Sequence, residues 1–504
     1  MREVLLRTCA RTLVGLLALS FGVSGCGGGT KAAAPLPPGN VTGASGSGLT
    51  ARIVGVGDSL TAGEQSEALL GATISPNPIA GSPFPIVPET QGNGYYALIW
   101  SQANGGADPL ALATSPLPLM APPGLGTILV PTSTNGLTSI TTPCAGTNGA
   151  AFSRSTALTA RLNPTATPLD VAIPGQTLHE ALYQTQPTGT CTGAGLPTAL
   201  AGLNAILNAE NQTFYPILGT FPAGTTQVQA AVSLQPTLAL VWLGSNDLLK
   251  YLFTNGAVGP TSAAAFQTDM LNVIASLQGA GAKVAVANLV DVLGTAQFTP
   301  VAALPAALGT SGVPSALQAP IASAVGTFLA GFNVGSGGYL TLTGSNKILT
   351  VVQGAIPAIE QGTPPATALA AGFAELQASA TPFAVGDYVS DSVAANAAAL
   401  NAAYNSAIAA AVSKRGAALV DVHATFVQAE QAPGELLPVT GKCCSLLYGG
   451  GFFSLDGLHP SNTAYAVVAN LFIAAIDGTY GATIPTISAS QLATINATDL
   501  YSPH

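Results

Sequence analysis

Five short runs of apolar residues recur along the chain, at Arg52–Val56, Leu169–Ile173, Leu238–Leu243, Lys283–Leu289 and Ala418–Val422. Each is rich in Val, Leu or Ala and bounded by turn residues, the pattern of a short parallel strand buried on both faces. Between the runs the apolar period changes to that of helices. Gly94–Asn104 carries Tyr95, Leu98, Ile99 and Gln102 at helical spacing, and Phe266–Gly279 carries Met270, Val273, Ile274 and Leu277. Ala394–Arg415 is Ala-rich with Leu400, Tyr404, Ile408 and Val412, and Asn462–Gly478 closes the body. Alternation of this kind predicts an α/β fold with a doubly wound parallel sheet.

Three stretches do not fit a minimal sheet. Ser66–Gly92 is rich in Pro and Gly and reads as loop. Residues 109–168 form a Pro/Thr/Gly-rich stretch without strong periodicity. Residues 292–384 contain the helix-like pieces Pro320–Phe332 and Ala366–Ala378 and a Gly-rich turn at Gly335–Gly338. Long structureless loops are uncommon inside compact domains unless they are functional. The last two stretches are therefore expected to be insertions at the carboxyl edge of the sheet, either capping a site or decorating the surface. The expected organisation is a body over 51–480, with these insertions, and a C-terminal tail over 481–504. No internal repeat is visible.

The N-terminus reads as a targeting segment over 1–25. Arg2, Arg7 and Arg11 precede an apolar run, Leu13 to Phe21, and then Val23-Ser24-Gly25-Cys26. Small residues leading into a cysteine resemble the bacterial lipobox, in which the cysteine is diacylated and becomes the mature N-terminus. The other reading is an ordinary secretory signal that happens to contain a cysteine. Acyl chains on Cys26 would anchor the chain, each buried CH₂ adding about 0.8 kcal/mol. Residues 26–50 would then be a flexible tether. The expected location is the bacterial cell envelope, at the outer membrane or cell surface, with secretion as the alternative.

Composition narrows the picture. The 504-residue chain is 48% hydrophobic but only 7% charged, with 58 Gly and 37 Pro. No later run is expected to span a bilayer, so the body reads as soluble with a low-charge surface. The formal net charge of −9 and the lack of a basic patch argue against a nucleic-acid partner. Export into an oxidising compartment leaves Cys144, Cys191, Cys443 and Cys444 to consider. Cys144 and Cys191 both lie in Gly/Thr/Pro-rich loops and are the favoured pair. Cys443 and Cys444 would then form a vicinal pair, or each would reach elsewhere. The histidines of the body, His179, His423, His459 and His504, lack metal-ligand spacing, so neither a metal nor a cofactor is expected.

Candidate chemistry begins at the first run, which ends in Gly57-Asp58-Ser59-Leu60. This turn places a serine at a strand's carboxyl end, where open α/β sheets bind ligands. Just past the second run, Gly175 can bring its N–H close to an oxyanion, or simply make a turn. After the third, Gly244-Ser245-Asn246-Asp247 supplies an amide donor or a helix cap. Asp456-Gly457-Leu458-His459 offers an acid and a base in one short loop. His179 reads as a surface or capping residue and Trp242 as core; His423, just past the fifth run, either lines the site or, the favoured reading, plays no part in it. Phe452 and Phe453 would line an acyl pocket or pack beneath it. No Lys or Arg that would hold a charged substrate group stands near any of these blocks.

In this order, the four blocks around Ser59, Gly175, Asn246 and His459 resemble those of the GDSL, or SGNH, hydrolase family. The resemblance implies a flavodoxin-like three-layer α/β/α sandwich with a parallel central sheet, here carrying unusually large insertions. It implies Ser59 as nucleophile, His459 as general base and acid, and Asp456 as its orienting partner. The oxyanion hole would comprise the Ser59 N–H, the Gly175 N–H and the Asn246 side chain, with no metal or cofactor. The implied reaction is hydrolysis of carboxylic esters, acyl or lipid, through an acyl-enzyme. Alternatives are a carbohydrate acetylesterase or acyltransferase on envelope glycans and, in another class, a non-catalytic surface-binding lipoprotein. No oligomeric state follows from these residues.

Overall fold

A computed structural model describes residues 48–80, 82–131, 137–141, 153–187, 198–431 and 444–501. Its centre is a four-stranded parallel sheet in the order Ile53–Gly57, Leu238–Trp242, Lys283–Ala287, Ala418–Val420. Every residue of the first two strands is buried, as continuous apolar runs require when both faces are covered. The Leu169–Ile173 run lies parallel along the outer edge of Ile53–Gly57. Its pairing is a single bridge, Gly55 to Asp170, extended by hydrogen bonds from Val171 N to Gly55 O (3.1 Å) and Ile173 N to Gly57 O (3.0 Å). Counting that edge, the chain-order runs stand as 2-1-3-4-5, the flavodoxin-like order. The order reverses between Ile53–Gly57 and Leu238–Trp242, which is where such sheets open a crevice.

Helices cover both faces. Tyr95–Ala103 and Asn462–Tyr480 pack together on one, with Tyr95 and Phe472 stacked at 4.6 Å. Gln227–Ser233, Ala263–Gly279 and Asp391–Arg415 form the other layer, where Phe266 stacks on Tyr404 at 4.1 Å. Asp391–Arg415 has acid at its start, Lys414 and Arg415 at its end and Gly416 as a left-handed cap, all matched to the helix dipole and its orphan carbonyls. Asn462–Tyr480 does have the length and apolarity of a membrane span, against expectation. Its Tyr465, Phe472, Ile473 and Ile476 are fully buried in the main core, so the apolarity serves packing.

Residues 301–388 build a separate core around Ile321, Leu329, Val352, Leu369 and Phe373. The pieces expected at Pro320–Phe332 and Ala366–Ala378 are helices at Ser315–Ala330 and Pro365–Ala378, joined by Leu304–Thr310 and Leu342–Glu360. The first runs through Pro320 instead of starting there, Pro320 lying inside the helix at the cost of one backbone bond. A small antiparallel sheet, Phe298–Pro300, Tyr339–Thr341 and Tyr388–Val389, closes this subdomain's base. The 109–168 stretch contributes the antiparallel strands Leu125–Pro131 and Leu137–Thr141, the former also pairing with Ala68–Leu69. Past the body, Ala489–Thr498 is helical and packs on Asn462–Tyr480. Cys26, Cys144, Cys191 and Cys443 lie outside the described residues, as does the whole leader and most of the tether. Cys444 is disulfide-bonded, to a partner also outside them.

Candidate active site

The strand Ile53–Gly57 turns at once into the short helix Ser59–Ala62. Asp58 caps it, its carboxylate accepting from Leu60 N at 3.0 Å. Only glycine fits at position 57, where a Cβ would sit 1.9 Å from Thr61 Oγ1 and 2.9 Å from the Trp242 carbonyl. The turn thereby lifts Ser59 to the top of the sheet while Leu60, Thr61 and Ala62 are buried beneath it.

Two neighbouring loops converge on it. Gly175 has φ +81°, and a Cβ there would lie 2.6 Å from the Ile206 carbonyl. Helix Asn204–Leu218 therefore packs directly on this turn. Asn246 lies in the first turn of Ser245–Phe253. Its Nδ2 donates to Asp58 Oδ2 and to the Gln176 carbonyl, both at 3.2 Å. These are long bonds, readily shared with a stronger acceptor such as an oxyanion. Neither the Ser59 nor the Gly175 backbone N–H has an acceptor among the described residues.

A buried polar frame fixes the two loops to each other. Asp247 accepts from Leu178 N (2.9 Å) and from the Thr261 hydroxyl (2.7 Å). Lys250, four residues past Asn246, chelates Glu180 at 2.6 and 2.7 Å, and Glu180 closes a capping box with Thr177. Gln176 reaches Gln184 at 2.7 Å, and Gln184 in turn donates to Glu210. Burial pushes the Glu210 carboxyl up to about 7, partly offset by Lys250. This frame was not legible in sequence, because its members come from three separated helices.

The acid and base come from the far end of the chain. The segment from Phe452 to Ser461 folds back on itself, with Phe453 bridged to Pro460, so Asp456 and His459 share one tip. His459 Nδ1 and Asp456 Oδ2 are 2.8 Å apart. Three backbone N–H groups also donate to Asp456 at 2.8 Å: Leu458 and His459 to Oδ1, and Glu67 to Oδ2. Burial alone would raise the Asp456 carboxyl, but the His459 charge and these bonds hold it below the usual carboxylate range. Burial would likewise lower His459. The charges of Asp456 and Glu64 and the Asp456 hydrogen bond outweigh it and raise the ring to about 9.

Glu67 and the preceding Ser66 both hold positive φ (63° and 52°), a costly backbone for residues with side chains. That strain is what aims the Glu67 N–H at the acid. Glu64, Ser66 and Glu67 are the site residues that sequence reasoning missed; their one signal is that they directly follow the serine turn. His179 is surface-exposed and pairs with Asp269 at 2.9 Å, and the His423 backbone N–H donates to Asn288 Oδ1 at 2.9 Å.

Two cavities meet at Ser59, Asn246 and His459. One, of about 560 Å³, is walled by Trp242, Leu249, Val292, Phe426, Phe452 and Phe453. The other, of about 760 Å³, presents Glu64, Glu67, Asn208, Gln212 and Gln297. Both insertions reach these walls, through Gly126 on one side and Val292, Thr295 and Gln297 on the other. Ser59 and His459 share the cavities without a hydrogen bond between them among the described residues, the looser geometry common before substrate binds.

A serine at a strand end, a histidine held by a buried carboxylate, and N–H donors gathered around the serine make up the apparatus of acyl transfer through a hydroxyl. The GDSL-like Lipase/Acylhydrolase family matches the chain over residues 53–472, and the chain belongs to that family. It is an acyl hydrolase of the esterase or lipase type. Comparison with curated proteins and with solved structures returned no match.

Proposed function

We propose that this chain is a lipid-anchored envelope serine hydrolase that cleaves carboxylic esters with apolar acyl chains through an acyl-enzyme. The observation that carries the reading is the apolar cavity opening directly onto Ser59 beside the His459–Asp456 pair. Ser59 Oγ attacks the ester carbonyl carbon as its proton passes to His459 Nε2. The oxyanion gathers the Ser59 and Gly175 N–H groups and the Asn246 amide, which gives up its long bond to the Gln176 carbonyl. Collapse breaks the bond to the alcohol, which takes the proton from His459. Water then repeats the sequence on the acyl-enzyme and frees the acid. Asp456 keeps Nδ1 protonated so that Nε2 is the acceptor.

An acyl-length series of p-nitrophenyl esters tests the substrate class. Turnover is expected to favour medium or long chains over acetate, and substitution of Phe452 by a larger residue such as tryptophan should shift the optimum to shorter chains. A clear preference for acetate that ignores the Phe452 change would favour a deacetylase. Asn246→Ala is expected to lower kcat by about 10²–10³-fold with KM little changed, since the amide serves the oxyanion and not the ground state. Equal losses in substrate binding would place Asn246 in recognition instead.

The anchor rests on Cys26, which follows an apolar run and small residues. In a bacterial host, the Cys26→Ala variant should leave the membrane fraction; retention there would remove the acyl anchor from the proposal.

A further inference from the structure

Beyond the oxyanion donors Gly175 and Asn246, the wall of the wider cavity has no role in the chemistry just described. It meets the apolar one at Ser59, Asn246 and His459, so it is the space left for the leaving alcohol if the acyl chain fills the apolar side. Its wall holds carboxyl and amide side chains and, apart from His459, no basic residue. Glu64 is only 5% exposed, yet its carboxyl has no hydrogen-bond partner among the described residues. Its backbone is fully used, N–H to the Ser59 carbonyl (2.9 Å) and carbonyl to the Tyr465 hydroxyl (2.9 Å), which pins the side chain at the cavity. Asn208, on the same wall, keeps a buried Oδ1 without a partner. Buried polar groups left unpaired in a native protein are costly unless a ligand completes them.

We infer that this cavity is the alcohol subsite and that it takes an uncharged leaving group bearing several hydroxyls, glycerol or a sugar, read by Glu64. The inference rests on the ester-hydrolase reading above. Hydroxyls both donate and accept, so they suit a wall of amides and carboxyls. Burial pushes the Glu64 carboxyl upward, and pushes Glu67 up to about 7 with help from Asp456 and Glu64. Near neutrality the Glu67 carboxyl can thus donate a proton to a hydroxyl oxygen, while Glu64 can accept from one. A phosphorylated alcohol would meet acids with only the His459 ring, already paired to Asp456, to balance it.

The test uses one acyl chain on several alcohols: ethanol, glycerol, glucose, choline and glycerol 3-phosphate, with the p-nitrophenyl ester as control. For the full-length protein, kcat/KM for the glycerol or the glucose ester should exceed that for the ethyl ester about tenfold, and for the glycerol phosphate ester more. The glycerol and glucose arms distinguish the two sources of hydroxyls. Glu64→Leu should erase most of the glycerol-to-ethyl ratio while Glu64→Gln, still able to donate and accept, keeps most of it. A ratio near one in the unsubstituted protein overturns the inference without any variant. So does a preference for the choline ester, which would make the wall a cation site. Loss of Ser59-dependent p-nitrophenyl ester turnover would instead sink the hydrolase reading, and this inference with it.

Discussion

Ester turnover by Ser59→Ala is expected to fall by about 10⁴–10⁶-fold, to the level left by binding and the oxyanion donors alone. The variant should fold normally. The Ser59 hydroxyl makes no hydrogen bond among the described residues, and alanine is a good helix former at the start of Ser59–Ala62. A fluorophosphonate probe should label the unsubstituted protein at this one serine and leave the variant unlabelled. Ser245, which lines the apolar cavity and is buried with an unpartnered hydroxyl, is the internal control. Labelling there, or turnover surviving in Ser59→Ala, would move the nucleophile and discard the mechanism. Turnover and labelling that depend on Ser59 would also exclude a surface-binding lipoprotein that merely retains the fold.

Asp456→Asn has the second largest expected effect, and it is two-fold in kind. The asparagine amide cannot hold His459 in the tautomer that leaves Nε2 free, so kcat should drop by about 10³–10⁴-fold. The pH profile should move as well. His459 acts as base only when neutral, and its pKa is held up at about 9. For the unsubstituted protein kcat/KM should therefore climb with pH until it levels above about 9. Removing the Asp456 charge removes the largest influence raising the ring, so its pKa falls and the acid limb shifts to lower pH. A lowered plateau with an unmoved limb would mean that another group sets the titration, Glu64 being the next acid after Asp456 whose charge raises the ring.

Much of this arrangement could be read from residue order, for a definite reason. Ser59, Gly175, Asn246 and His459 each stand within a few residues of a strand end or in one tight loop, so local spacing carries their placement. The buried strands were legible because burial on both faces leaves continuous apolar runs such as Leu238–Trp242. Leu169–Ile173 shows the limit: Asp170 in its middle, buried and pushed up to about 8 by burial, accepts from Ala172 N and the segment pairs by a single bridge. Leu342–Glu360 escaped notice because Gly344, Gly354 and Pro357 interrupt its apolar stripe, and tertiary packing overrides their poor propensity. Glu64 and Glu67 leave no local trace beyond following the serine turn, and the Lys250–Glu180 clamp leaves none. Their partners stand as far as 389 positions away, and no spacing rule reaches so far.

That distance has a consequence for the chain's biosynthesis. The Glu67 N–H finds its acceptor on Asp456 only after almost everything between them has left the ribosome. The serine emerges early, the base among the last residues of the body, and contacts of such long sequence separation form late and slowly. On the proposed mechanism, a nascent or truncated chain thus carries its nucleophile without a base. The same mechanism has the hydrolase assembled inert, able to cut esters only when its final loop docks.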